Sequence, residues 1–162
     1  MTVADELNSS TTDPGTDAAE IAPDPNAGRE TRRGQACRAA RIAHDYRSKD
    51  VVVLDLTGIT PIVDYFVIAT GTSRRQMHAV SDEISRVFRE EEGDTRLGLE
   101  GYDNDSNWTL IDFGDIVIHL QEPEARDLYD LDHLWADARR VDWESEGVDN
   151  QPVEPGTEAE LA

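Results

Sequence analysis

The chain has 162 residues, enough for one domain, and a formal net charge of −20 from 35 acidic and 15 basic residues. Such a charge disfavours direct binding to RNA or to anionic membranes, because these polyanions attract cations. The single cysteine excludes an internal disulfide and any zinc site that needs several cysteines.

Residues 1–30 are predicted to be a disordered acidic tail. They contain seven acids and one arginine, and they have too few large apolar residues to offset the entropy of ordering the backbone. Composition favours a simply solvated tail, and the alternative is an electrostatic barrier against nucleic acid or membranes. No signal peptide is recognisable and no stretch approaches the ~18 apolar residues of a membrane span, so we expect a cytoplasmic protein without membrane contact.

Residues 33–47 have the spacing of an amphipathic helix. Its apolar face is formed by Ala36, Ala39, Ala40, Ala43 and Tyr46. The arginines around the rest could form a nucleic-acid patch, but nearby acids cancel the field that phosphate binding needs, which favours a solvated helix face. Cys37 is predicted to be a packed thiol, because the sequence places no base beside it.

Two apolar, β-branched runs follow, residues 51–56 and residues 65–70, and both are predicted to be central strands. Ser73 and Gln76 then have capping-box spacing at the start of a helix that Gly93 ends. The turn Gly71-Thr72-Ser73 could cradle a phosphate at that helix start. It lacks the P-loop and dinucleotide-binding patterns, so capping is the favoured role of Ser73.

The second half of the domain is predicted to add three strands and a helix. The strands contain Leu97 and Leu99, residues 108–111, and residues 116–120, and the last two form an antiparallel hairpin around Phe113-Gly114. Pro123 opens a helix. The residues expected to face the sheet are Leu128, Leu131, Leu134 and Trp135, with Trp135 in the core.

These elements predict an α/β fold, a mixed β-sheet of about five strands flanked by helices. The domain is predicted to span residues 31–143. Residues 144–162 are predicted to form a second disordered acidic tail, because residues 142–162 hold seven acids and no lysine or arginine.

The predicted hairpin carries the candidate chemical groups, Asp112, Asp115 and His119. Paired carboxylates can hold divalent metal when both aim at ions ~3.5–4 Å apart, but a turn separates these two aspartates. His119 has no partner at ligand spacing and is predicted to be hydrogen-bonded and partly buried. Since no catalytic triad or cofactor fingerprint is present either, we expect no enzyme activity, no metal and no cofactor.

Residues 36–143 resemble the ribosomal silencing factor family, also called the Iojap-like family. Six blocks in the family's order carry the resemblance: Val53-Leu54-Asp55-Leu56, residues 64–73 (DYFVIATGTS), Glu100-Gly101, Trp108-Thr109-Leu110, residues 112–119 (DFGDIVIH) and residues 126–135 (RDLYDLDHLW). The acidic extensions at both ends are not part of this pattern.

The resemblance implies a nucleotidyltransferase-like fold and a protein that binds the large ribosomal subunit. Its partner would be the basic ribosomal protein numbered fourteen of that subunit, and the bound factor would sterically block joining of the small subunit and repress translation. A role in large-subunit assembly is also implied. No direct sequence-specific binding of nucleic acid is expected.

The resemblance also assigns partner-binding residues. Trp108 would be an anchor, Asp112 and Asp115 would face the basic partner, and Tyr65 and Tyr129 would flank them. Strand alternation independently places Trp108, Leu110 and Asp112 on one face.

The alternatives for these residues are a core role for Trp108 and a turn-stabilising role for the two aspartates. Two other functions stay open. One is a metal-dependent nucleotidyltransferase using Gly71-Thr72-Ser73 with both aspartates. The other is a homodimeric assembly scaffold that associates through a sheet edge or the strand of Leu97 and Leu99.

Overall fold

The structure, a computed structural model, describes residues 27–146. Most of both predicted tails, residues 1–26 and 147–162, lies outside this part. The described remainder departs from the predicted boundaries, because residues 27–30 are helical and Glu146 forms an ion pair with Arg33. In chain order the elements are α1 (Ala27–Asp45), β1 (Lys49–Asp55), β2 (Tyr65–Thr70), α2 (Arg74–Glu91), β3 (Gly98–Glu100), β4 (Trp108–Asp112), β5 (Ile116–Gln121), α3 (Pro123–Tyr129), α4 (Leu131–Leu134) and β6 (Arg139–Val141).

The strands form one mixed sheet in the order β3-β4-β5-β2-β1-β6. The β2–β5 pair is parallel and the other neighbours are antiparallel. The predicted α/β class is confirmed, and β1 and β2 each have a strand on both sides. The sixth strand, Arg139–Val141, was not predicted, because three residues with two exposed arginines give almost no strand signal.

Helices α1 and α2 pack on one side of the sheet, which we call the helix-covered face. The four alanines predicted for α1 are fully buried there, and their small side chains let the helix lie close to β1 and β2. From α2, Phe88 is fully buried with its ring centroid 4.6 Å from that of Phe113. Tyr46 is 40% exposed, against the prediction, because α1 has already ended at Asp45.

The start of α2 is capped as predicted. Ser73 Oγ accepts a hydrogen bond from the Gln76 backbone N–H at 3.1 Å, and Gln76 Oε1 accepts one from Thr72 N–H at 3.2 Å. A Cβ on Gly71 would overlap the side chain of Met77. Packing against Met77 therefore explains the glycine of this turn without a bound phosphate.

Several arginines of α1 form ion pairs with carboxylates, as expected for a solvated helix face. Arg38 pairs with Glu91 and Glu92, and Arg33 pairs with Glu146. Cys37 beneath them is 3% exposed, and burial, with Glu146 nearby, raises the pKa of its thiol to about 12. The predicted packed thiol is confirmed.

The other side of the sheet, which we call the open face, is covered in part by α3 and α4. Leu131 is buried there as predicted, but Leu128 and Leu134 are 76% and 70% exposed, so the prediction for these two leucines was wrong. Asp130 interrupts the expected helix with a left-handed backbone (φ +41), and α4 restarts in a different rotational phase.

No helix in residues 27–146 is long and apolar enough to cross a membrane. Trp135, expected in the core, is half-buried on the open face with its ring edge-on to Phe66 at 5.7 Å.

Candidate partner-binding surface

The predicted hairpin is present, with β4 and β5 paired antiparallel around Phe113-Gly114. In β4 the side chains of Thr109 and Ile111 are buried, whereas those of Trp108, Leu110 and Asp112 are half-buried. Trp108 belongs to the apolar cluster of the open face, so alternation places Leu110 and Asp112 there too. Trp108 and Asp112 are roughly 13 Å apart along this strand.

Trp108 is held at two points although it is only half-buried. Its indole Nε1–H donates to His119 Nδ1 at 3.2 Å. Its ring centroid lies 4.6 Å from that of Tyr129, with the planes tilted by 49°. An aromatic side chain fixed in this way can contact a partner while losing little conformational entropy. Tyr129 itself is 49% exposed, so the two rings together present aromatic area to solvent.

His119 lies beneath Trp108 and is 4% exposed. Burial, together with the positive charge of nearby Arg126, lowers its pKa from 6.5 to about 4. The imidazole is therefore neutral near pH 7, and its Nδ1 lone pair is free to accept the indole N–H. The prediction of a hydrogen-bonded histidine is confirmed at Nδ1, whereas Nε2 is buried with no partner among residues 27–146.

Arg126 fastens the two short helices to the sheet. It is 9% exposed, and its Nε and Nη2 donate to the two carboxylate oxygens of Asp132 at 3.1 and 3.3 Å. Its Nη1 donates to Thr70 Oγ1 at 3.3 Å. This bridge joins α3, the helix that ends at Tyr129, to α4 and β2.

Asp112 and Asp115 act differently. Asp112 Oδ1 accepts a hydrogen bond from Gly114 N–H at 2.7 Å, so this aspartate stabilises the turn. No lysine or arginine among residues 27–146 forms an ion pair with it. Asp115 Oδ2 lies 2.6 Å from Nε of Arg32 on α1. Asp112 thus stabilises the turn on the open face. Asp115 instead forms an ion pair with an arginine of α1, which lies on the helix-covered face.

This divergence is unlike a two-carboxylate metal site, in which both side chains must aim at the same ions. Among residues 27–146, no group of three or more histidine, cysteine, aspartate or glutamate side chains could hold a metal ion.

Tyr65 departs from its predicted place. Its side chain is 3% exposed and belongs to the core under α1 and α2, since strand alternation turns it away from Phe66 and the open face. Its burial corrects the expectation that it flanks the partner-binding residues.

Sequence reasoning missed the exposed leucines, Leu128 and Leu134, and the Arg126 bridge. The break at Asp130 was the available signal, because aspartate tolerates a left-handed backbone better than most residues. The Arg126–Asp132 pair spans that break, and its spacing in the sequence matches no helical or strand pattern that would have revealed it.

A family model described as "Ribosomal silencing factor during starvation" matches residues 29–161. The chain belongs to this family. It is 38% identical over 104 residues to the ribosomal silencing factor of Bacillus subtilis, covering 64% of this chain and 86% of that protein. It is 37% identical over 90 residues to mouse "Mitochondrial assembly of ribosomal large subunit protein 1", covering 54% of this chain and 39% of that protein.

Solved structures agree with this assignment of the silencing factor fold. A crystal structure of a Chromobacterium violaceum protein has a TM-score of 0.57 at 33% identity and covers 67% of this chain and 85% of that one. A Bacillus halodurans structure has a TM-score of 0.55 at 34% identity and covers 70% and 97%.

Proposed function

We propose that this silencing factor binds the large ribosomal subunit through a basic ribosomal protein, the one numbered fourteen, and represses translation in the cytoplasm. By occupying that protein it sterically blocks joining of the small subunit. It acts by binding alone, without catalysis, metal or cofactor. A contribution to large-subunit assembly is part of the same proposal, supported by the name of the mouse relative.

The observation that carries the proposal is a fixed, half-exposed indole on the open face. Trp108 is tied to His119 and Tyr129, and the exposed Leu128 adjoins Tyr129 in α3. Aromatic residues that are rigid before binding are typical interaction hot spots. We assign the contact to Trp108, Leu110, Asp112, Leu128 and Tyr129, and we call this set the Trp108 surface.

Charge supports a protein partner rather than RNA. The chain carries a net charge of −20, and RNA binding depends on cations that displace counterions from phosphates. A ribosomal protein has to be basic to sit on RNA, so its exposed face is complementary to the unpaired carboxylate of Asp112. Asp115 is outside the Trp108 surface, because Arg32 already neutralises it.

A second candidate, self-association, rests on one observation. Leu97 is 72% exposed next to β3, which is an edge strand of the sheet. An edge strand has unpaired backbone groups that can pair with a second copy. A mass in solution that rises with protein concentration would support this candidate.

The test is co-sedimentation of the full chain with isolated large ribosomal subunits, followed by addition of small subunits as competitor. We expect the protein to pellet with large subunits and to reduce formation of the joined ribosome in proportion to its occupancy. Pelleting without any effect on joining would overturn the proposed block, and absence of pelleting would overturn the binding itself. Magnesium-dependent nucleotide turnover by the same sample would favour the enzyme alternative.

A further inference from the structure

A cavity of about 330 Å³ opens on the open face beside Trp108. Its lining residues are Glu100, Gly101, Asn104, Ser106, Trp108 and Leu110. This volume is at the lower end of the range for ligand sites, so it suits one long side chain better than a large organic ligand. Glu100-Gly101 is also the block of the family resemblance for which the sequence suggested no role.

The walls of the cavity are held by local contacts. Gly101 has φ +77, and a Cβ there would overlap the carbonyl oxygen of Trp108, so the end of β3 lies directly against the start of β4. Ser106 Oγ accepts a hydrogen bond from Trp108 N–H at 3.2 Å and donates to Trp108 C=O at 2.9 Å. The indole, fixed on its other side by His119, therefore forms a wall that exists before any partner binds.

The cavity combines an apolar wall with one negative charge. Glu100 lies opposite Leu110 in the β3–β4 register, and its side chain is exposed. No lysine or arginine lines the cavity, and none within residues 27–146 pairs with Glu100. The complementary group is thus a cation on an apolar stem, which could lie along Trp108 and Leu110 with its charge at Glu100.

We propose that this cavity receives a cationic side chain of the ribosomal protein partner, and that Glu100 selects for it. Arginine matches better than lysine, because its planar guanidinium can stack on the indole and bind a carboxylate through two parallel hydrogen bonds. This inference rests on the proposed function and adds a specificity residue to it.

Other occupants fit less well. A phosphate of ribosomal RNA would be repelled by the unpaired carboxylate of Glu100. An apolar side chain would cover that carboxylate without pairing it, and desolvating an unpaired charge is costly. Both alternatives leave the Glu100 carboxylate without a partner, whereas a cation would pair with it.

The experiment compares Glu100→Gln and Glu100→Arg with matched changes at Asp103, an exposed acid in the loop after β3 that does not line the cavity. Each full-length variant is titrated with isolated large ribosomal subunits at low and at moderate salt. We expect Glu100→Gln to raise the Kd about tenfold and Glu100→Arg about a hundredfold, as for a desolvated interfacial charge pair. Asp103→Asn and Asp103→Arg should change the Kd by less than about twofold.

The outcomes separate the inference from the function on which it rests. If the unmodified protein does not bind large subunits, the proposed function fails. If it binds and the Glu100 variants bind equally well, the cavity inference fails while the function stands. Should Glu100→Arg impair folding, as shown by a lowered Tm, the nearly isosteric Glu100→Gln decides.

A cross-linking measurement identifies the class of partner at the cavity. Cys37 is buried, so Asn104→Cys would place one accessible thiol at the cavity rim for a photoactivatable reagent. Cross-linking to a large-subunit protein at a segment containing arginine or lysine supports the inference. Cross-linking to ribosomal RNA alone would overturn it.

Discussion

The two faces of the sheet are used in different ways. On the helix-covered face, α1 and α2 bury a continuous apolar core in which residues such as Ala39 and Phe88 are fully enclosed. On the open face, two short helices leave Trp108 and Leu110 half-buried and Tyr129 exposed. The open face also has a smaller buried cluster, which includes Leu56 and Ile68. Under the proposed function, the larger buried core lies on one face and contact with the partner on the other, and the following changes test that separation.

The largest expected effect on stability comes from Phe88→Ala on the helix-covered face. Phe88 is fully buried against Phe113, so its removal leaves a cavity and should lower the free energy of unfolding by about 3–5 kcal/mol. Urea denaturation measures this loss. Leu128→Ala on the open face is the control and should stay within about 0.5 kcal/mol of the unmodified protein. Equal losses would show that the two faces contribute alike to stability.

Lowering the pH should decrease the free energy of unfolding through His119 on the open face. Its pKa is about 4 in the folded protein against an ordinary value of 6.5, so between these values the unfolded chain binds a proton that the folded chain does not. The free energy of unfolding is therefore highest above pH 6.5. It falls by about 3 kcal/mol in total as the pH is lowered towards 4.

Urea denaturation from pH 7 to pH 4.5 tests the histidine against His119→Asn, whose amide oxygen lies where Nδ1 does, so that it can still accept the Trp108 N–H but cannot titrate. The variant should show a flatter dependence of unfolding free energy on pH. Identical curves would remove His119 as the cause, since all other titrating groups are shared by the two proteins.

Trp108→Ala should separate binding from stability most clearly. Loss of the anchor should weaken large-subunit binding by about 2 kcal/mol or more, equivalent to about a 30-fold rise in Kd. The fall in unfolding free energy should be smaller than for Phe88→Ala, because the indole is only half-buried. An unfolded Trp108→Ala protein would instead identify Trp108 as a core residue.

A matched aromatic pair controls for general loss of surface area. Tyr129→Ala removes a ring that is 49% exposed beside Trp108, and Tyr46→Ala removes one that is 40% exposed after the end of α1. Tyr129→Ala should weaken binding by about 1 kcal/mol, and Tyr46→Ala should leave it unchanged. Similar losses for both would argue that the contact is not confined to the open face.

The smallest expected effect is kinetic and concerns Asp112→Asn. Asparagine can still accept the hydrogen bond from Gly114 N–H, so the turn is kept while the charge is removed. We expect association with large subunits to slow a few-fold at low salt and to depend less on salt. Asp115→Asn, which only releases Arg32, should not change this rate; if it alone does, the hairpin's contact lies on the α1 side.

Regular patterns in the sequence predicted much of the helix-covered face. Alanine spacing in α1, the Ser73–Gln76 cap of α2 and the β-branched runs of β1 and β2 all reflect local preferences that the packed structure retains. The open face was harder to predict, because its geometry depends on contacts between distant segments. Arg126 reaches Thr70, 56 positions earlier, and Trp108 reaches His119 across a hairpin.

The residues proposed to bind the partner illustrate the same limit. Alternation placed Trp108, Leu110 and Asp112 on one face, and the structure agrees. The resemblance could not show that Tyr65 points into the core, that Arg32 forms an ion pair with Asp115, or that Leu128 is exposed. Each of these facts follows from a neighbouring element rather than from the residue's own segment.

Glu146 has a practical consequence for work with this protein. It pairs with Arg33 and lies by Cys37, so the last described residue rests on α1, and Ala27 begins the same helix. Residue 146 therefore lies on the side of the sheet away from Trp108. A fluorophore attached close to this residue should leave the proposed ribosome contact accessible, which makes single-molecule measurements of subunit joining practicable.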